Sequence, residues 1–269
     1  MPTIRINDIS DPRISPYRNV RDADLIRDRD SFMAEGRFVL ASLIRSTRYP
    51  VRSVFLNESA HEQLAELRAE LPEDTPVYIA SQAVMDEIVG FHIHRGCLAE
   101  GDRSVALTPH EVLGLAGEKP VLVLEDLTNH DNVGGIFRSA MALGAGGILV
   151  TDRCADPLYR KAIRVSMGAA LQLPWAAAPS IDEIVCALKG AGRTIVATAL
   201  DDRAIDLRDL RSHLTDAPVA LLLGAEGPGL SRGAIDASDA IARIETDDRV
   251  DSLNVTIAAS IALYELTRR

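Results

Sequence analysis

The side chains of this chain that can do chemistry fall in three short stretches. Ser252 and Asn254 stand where the acidic loop IETDDRVD runs into an apolar helix, Glu226 lies in GAEGPGLS, and Asn132 and Arg138 belong to NHDNVGGIFRSA. Asparagine and serine at a helix start cap backbone N–H groups, and Asn132 is read as the cap of its helix. A guanidinium inside an otherwise apolar helix start needs a partner, and arginine grips phosphate as a bidentate fork where lysine offers a point charge. Gly134 and Gly135 remove side chains where another backbone or a ligand can approach. The glycines around Glu226 form neither GxGxxG nor a Walker loop, so a dinucleotide site is a poor fit. Cys97, Cys154 and Cys186 are isolated and share no CxxC or Cys/His spacing, which predicts a reduced compartment, the cytoplasm, and no metal.

The elements that must position these residues suggest two α/β units. Residues 1–20, broken by Pro2, Pro12 and Pro16, read as an irregular arm. Residues 21–108 read as a compact module: helices from Asp22 onward, the second over Ala34 to Arg45, then the strand SVFLN, a helix from Ser59 to Glu70, the strand PVYIA, a helix from Ser81 to Val89, and strand candidates GCLAEG and SVALT. Residues 109–118, within PHEVLGLAGEKP, read as a proline- and glycine-marked linker. From 119 to 269, the apolar runs VLVLE, GILVT, TIVAT, VALLL and IARIE alternate with helical stretches, the pattern of a parallel sheet covered on both faces. Ligands of such sheets gather at the strands' carboxyl ends, where all three polar stretches lie. In the last helix Leu253, Ile257, Ile261 and Tyr264 fall at helical spacing and predict the face it buries.

With 47% hydrophobic and 25% charged residues the composition is that of a soluble globular protein, and no apolar run approaches a membrane span. The start MPTIRINDISDPRIS does not read as a signal peptide. A net charge of −10 argues against nucleic acid only superficially, because the basic residues are almost all arginines and their distribution matters more than their sum. Arg160, Lys161 and Arg164, with Arg153 and Arg138, are expected to form a basic rim at the strands' carboxyl ends.

Taken together and in this order, NHDNVGGIFRSA, LLLGAEGPGLS and SLNVTIAASIALYE resemble the three motifs of the SpoU (TrmH-type) RNA ribose 2′-O-methyltransferases of the SPOUT superfamily. The resemblance is strong from Pro120 to Arg269. Over the first half, AEGRFVLASLIRS and FHIHRGCLAEG look more loosely like the L30e-like substrate-binding domain of these enzymes. It implies an α/β SPOUT domain whose C-terminal segment forms a trefoil knot, S-adenosylmethionine held at Gly224, Ile244 and Leu253, a structured RNA as substrate with rRNA ahead of tRNA, and a homodimer with the active site at the subunit interface. Arg138 is then the central catalytic residue, either as the base acting on the ribose 2′-hydroxyl or as a clamp on the neighbouring phosphate. Asn132, Glu226, Ser252 and Asn254 match the remaining polar positions of the family site. The loop from Ile244 to Asp248 departs from the pattern, being acidic and without the usual proline and glycine. That departure motivates an alternative, a non-catalytic RNA-binding protein with a degenerate cofactor loop. A nucleotide-dependent oxidoreductase on a similar sheet is a third reading, separable by its ligand.

Overall fold

A computed structural model describes residues 2–267 apart from 20, 21, 91, 94, 248 and 251. Phe91 and His94 of FHIHRG, and Asp248 of the acidic loop, therefore lie outside the described residues. The chain divides into two compact units, one of residues 1–105 with 158–172, the other of residues 106–157 with 173–269.

The first unit is built on a five-stranded sheet of β1 (Thr3–Arg5), β2 (Ser31–Glu35), β3 (Val51–Asn57), β4 (Val77–Ala80) and β5 (Cys97–Asp102), in the order β1-β4-β3-β5-β2. Its helices are α1 (Asp22–Arg29), α2 (Arg37–Ile44), α3 (Glu58–Gln63), α4 (Ala65–Ala69) and α5 (Gln82–Val89). The expected arm is instead part of this unit. β1 pairs in parallel with β4, and Ile6, Ile14 and Tyr17 are buried in the core. The prolines end periods without preventing burial, and the Tyr17 hydroxyl is satisfied by Ser53 at 2.7 Å. The helix expected over Ala34 to Arg45 begins later. Ala34 and Glu35 belong to β2, antiparallel to β5, and Gly36, at φ 92°, makes the turn into α2. The helix expected from Ser59 to Glu70 breaks into α3 and α4 at Leu64, and SVALT forms no strand.

The second unit begins with α6 (Pro109–Ala116), where the linker was expected. Thr108 and Glu111 form a reciprocal capping box and Pro109 takes the first helical position, where its missing N–H costs nothing. Val112, Leu113 and Ala116 join the core of this unit. Pro109 opens this helix and Gly117 caps its end, with Gly114 inside it, so the segment is a helix rather than a linker. There follow β6 (Val121–Leu124), α7 (His130–Ala142), β7 (Gly147–Thr151), α8 (Arg160–Val165), β8 (Trp175–Ala178), α9 (Ile181–Gly190), β9 (Thr194–Thr198), β10 (Ile205–Asp206), α10 (Leu210–His213), β11 (Val219–Leu223), α11 (Arg232–Asp236), β12 (Ala240–Arg243) and α12 (Val255–Thr267). Of these α8 belongs to the first unit.

The second sheet runs β10-β12-β9-β11-β6-β7-β8, and every pairing is parallel. β6 to β8 progress toward one edge, whereas β9 lies on the other side of β11. The chain thus reverses direction around β11, and the crevice at such a point is where ligands of open parallel sheets bind. On one face Val121, Val123, Leu149, Ile195 and Leu222 pack with α6, α9 and α11. On α12 the buried residues are Ala259, Ala262 and Leu263, not the predicted stripe. Leu253, Ile257, Ile261 and Tyr264 are 37–54% exposed. Small residues let α12 lie against α7: a Cβ at Gly135 would come within 2.7 Å of the Thr256 methyl, and Ser260 donates to Ser139 at 2.8 Å. Because α12 is apolar all round, periodicity could find its stripe but not which face meets the core.

Candidate active site

The segments that follow β6, β11 and β12 at the carboxyl ends of the second sheet bring Asn132, Glu226 and Asn254 together. Asn132 is not the cap of α7. Asn129 is, its side chain accepting from the Asp131 N–H, and Asn132 falls in the first helical turn, only 6% exposed. There its amide donates to Glu226 Oε1 at 2.7 Å. The Asn254 amide donates to the same oxygen at 3.0 Å and to Asn132 Oδ1 at 3.1 Å. The Asn254 carbonyl oxygen accepts from the Thr256 N–H, so this residue also caps α12. Capping and cluster membership are compatible because an amide offers donors and acceptor at once. Thr256, unremarked in the sequence, ties the two helices together through the Asn132 carbonyl at 3.3 Å.

The strand ends hold the glycine loop in place. Glu125, which closes the apolar run VLVLE, is 5% exposed, and its carboxylate accepts from the Ser231 N–H at 2.8 Å. A Cβ on Gly224 would meet the backbone of Gly229 and Leu230 at 2.2 Å, so only glycine permits the loop to close on itself there. Glu125 was legible only as an acid ending an apolar strand.

Beside the cluster lies a cavity of about 700 Å³ bounded by residues 198–200, the loop 224–230, Arg243, Ile244, Thr246 and residues 252–255. The expected cofactor positions Gly224, Ile244 and Leu253 all line it, as do Glu226, Ser252 and Asn254. Thr198, Ala199 and Leu200 were missed. Thr198 ends β9 and the other two follow it at the carboxyl edge, but they carry no motif. Ser252 is exposed at the cavity wall and, among the described residues, joins no hydrogen bond of the cluster. The acidic loop closes without its usual glycine: Glu245, Thr246 and Asp247 are absent from the residues at positive φ. Glu245 pairs with Arg208, and Arg208 hydrogen bonds hold the Asp206 carboxyl down at about 2. Asp247 accepts from the Arg249 guanidinium, which lowers its carboxyl likewise.

Arg138 stands apart from this cluster. It is exposed on α7, three residues after Gly135, and makes no hydrogen bond or ion pair among the described residues. The arginines expected to form a basic rim are divided between the two units, and three of them lie against carboxylates. Arg153 pairs with Asp126 in the second unit, whereas Arg160 and Arg164 flank Glu35 in the first, at 3.8 and 3.9 Å.

The SpoU rRNA methylase family profile matches residues 119–264. The chain belongs to that family. A relative, an uncharacterized tRNA/rRNA methyltransferase of Mycobacterium tuberculosis, is 38% identical over 266 residues, covering 97% of this chain and 90% of its own. The 23S rRNA (guanosine-2′-O-)-methyltransferase RlmB of a Burkholderia species is 31% identical over 192 residues, 71% of this chain and 76% of its own. Among solved structures, the AdoMet-bound rRNA methyltransferase of Sinorhizobium meliloti superposes with a TM-score of 0.82 at 25% identity, covering 98% of this chain and 97% of that one. The parallel-sheet α/β fold is therefore that of the SpoU methyltransferases. Among the described residues no helix is long and apolar enough to cross a membrane.

Proposed function

We propose that this SpoU-family protein transfers a methyl group from S-adenosylmethionine to a ribose 2′-hydroxyl of a structured RNA, rRNA ahead of tRNA, in the cytoplasm. The observation that carries the reading is the Asn132–Glu226–Asn254 cluster, drawn from three distant segments, with Glu226 and Asn254 lining one cavity and Asn132 hydrogen-bonded to both. That cavity falls within the roughly 300–1,000 Å³ of small-molecule sites. Leu200, Leu223, Ile244 and Leu253 give it apolar walls for a purine, and the Glu226 carboxylate at its edge suits a cationic sulfonium. The cofactor, when bound, supplies an electrophilic methyl group. The chain's own residues then have to hold the ribose oxygen in line and manage its proton, since a hydroxyl is a weak nucleophile at neutral pH. Asn132 and Asn254 fix the Glu226 carboxylate, leaving its second oxygen for substrate. Ser252, exposed at the cavity wall, is in reach of a substrate.

Arg138 is assigned to the ribose and its phosphate as the central catalytic residue. An arginine stays protonated at any working pH, which favours the phosphate clamp over the base. Its separation from the cluster within one chain supports a homodimer in which the partner's α7 and α12 complete the site. The outward stripe of Leu253, Ile257, Ile261 and Tyr264 is the surface such a dimer would cover. The threading of the C-terminal segment as a trefoil knot belongs to the same reading, as does the first unit as the L30e-like substrate-binding domain.

Calorimetry with S-adenosylmethionine and S-adenosylhomocysteine tests the reading against the non-catalytic alternative. Binding of both, with loss of affinity in Leu253→Arg, is the expected result. Absence of binding by the wild-type protein removes the enzyme reading.

A further inference from the structure

The first unit carries an aromatic and basic surface that the cofactor cavity does not use. α2 opens with Arg37 and Phe38. Phe38 is 47% exposed, whereas the other phenylalanines among the described residues, Phe32, Phe55 and Phe137, are at most 1% exposed. The Arg37 guanidinium carbon lies 4.7 Å from the centroid of the Phe38 ring, close enough for a cation–π contact. Arg95 reaches the same place. The Gly36 N–H donates to the Cys97 carbonyl at 3.0 Å, setting the start of α2 beside the start of β5, and a Cβ at Gly36 would stand 3.8 Å from Cδ of Arg95.

Charge sets this surface apart from most of the first unit. The chain carries 39 acidic residues against 29 basic ones, and exposed arginines elsewhere mostly rest on carboxylates, as Arg45 does on Glu70 and Arg203 on Asp201. Arg37 and Arg95 are both exposed and meet no carboxylate or carbonyl oxygen among the described residues. Next to them Arg160 and Arg164 share Glu35, and the Arg160 N–H takes Asp22. Two guanidinium groups without acids around a solvent-facing ring suit an anion that also presents a flat π-face. A single-stranded nucleic acid has that combination: bases stack on aromatic rings while arginines hold the phosphates. A duplex hides those faces.

We propose that Arg37, Phe38 and Arg95 form a clamp for an unpaired nucleotide of the RNA substrate, Phe38 stacking on the base and the two arginines holding the flanking phosphates. The clamp rests on the methyltransferase reading only for naming RNA as the occupant.

The test is fluorescence anisotropy of the full chain, without cofactor, on a labelled RNA hairpin with an unpaired loop and on a blunt duplex of matching stem. Wild type is expected to prefer the hairpin. Phe38→Leu should weaken hairpin binding about tenfold, in the range of one stacked base, and leave duplex binding unchanged. Phe38→Trp should retain affinity. Arg37→Gln with Arg95→Gln should reduce the log-log salt slope by about 1.4, roughly 0.7 for each single-strand phosphate no longer neutralised. Hairpin affinity within twofold of wild type for Phe38→Leu, an unchanged salt slope, or no RNA binding by wild type would each overturn the clamp, the last leaving the surface to a protein partner. S-adenosylhomocysteine titrated into the same samples separates the two readings: lost cofactor binding sinks the methyltransferase, whereas intact binding without a Phe38 effect sinks the clamp alone.

Discussion

Arg138 is the residue whose role can be separated most cleanly from folding. It is exposed and bonded to nothing among the described residues, so Arg138→Ala takes nothing from the folded structure. S-adenosylmethionine affinity should stay within about twofold, while methyl transfer falls by on the order of a hundredfold or more, as when one charge-stabilising donor is removed. Arg138→Lys should lose most of the activity too, because an ammonium cannot reproduce the fork. Radiolabel transfer beside calorimetry reads both, and unchanged turnover in Arg138→Ala would take the residue out of the reaction. The cysteines give a separate check on burial. Cys97 is pushed up to about 12 by burial, Cys154 is raised by the same cause, and Cys186 is exposed. The thiolate is the reactive form, so at pH 8 a thiol-titrating disulfide should label Cys186 quickly and the other two only after unfolding. Fast labelling of Cys97 would contradict the packing of β5 in the first unit's sheet.

At the scale of elements, α12 and α6 carry the two largest differences from the sequence reading. The period of Leu253, Ile257, Ile261 and Tyr264 was visible in the sequence, but its direction was not, because Ala259, Ala262 and Leu263 make the opposite face equally apolar. If the outward stripe is a subunit interface, Ile257→Glu with Ile261→Glu should convert a dimer into a folded monomer in analytical ultracentrifugation. A wild-type monomer, or a dimer indifferent to these changes, would place the interface elsewhere or remove it. α6 was hidden by Pro109, its first residue, and Gly117, its C-cap, although Thr108 and Glu111 spelled its capping box. Thr108→Ala should lower stability by about 1 kcal/mol in urea titration, the ordinary worth of an N-cap. No change would mean that α6 is held by its apolar face alone. The five predicted strands of the second unit were all legible as apolar runs. β8 was not: WAAA is short and rich in alanine, a weak strand former.

For the whole molecule, the order of three motifs along the chain carried the family and the alternation of apolar runs with helices carried the parallel sheet, while the return of a later segment to the first unit escaped because it is not sequential. Residues 158–172 leave the second unit and return to the first, and composition gives no mark where an insertion packs elsewhere. The cluster of Asn132, Glu226 and Asn254 was legible as types and spacing; their shared hydrogen bonds required the fold. The atom expected to carry the methyl group is the ribose 2′-oxygen. Ribosomal RNA incubated with the protein and methyl-labelled S-adenosylmethionine, then hydrolysed in alkali, reads that atom directly, because cleavage needs a free 2′-hydroxyl next to the phosphate. Label recovered in an alkali-stable dinucleotide is the predicted result; label confined to mononucleotides, or no label in any RNA offered, would contradict it.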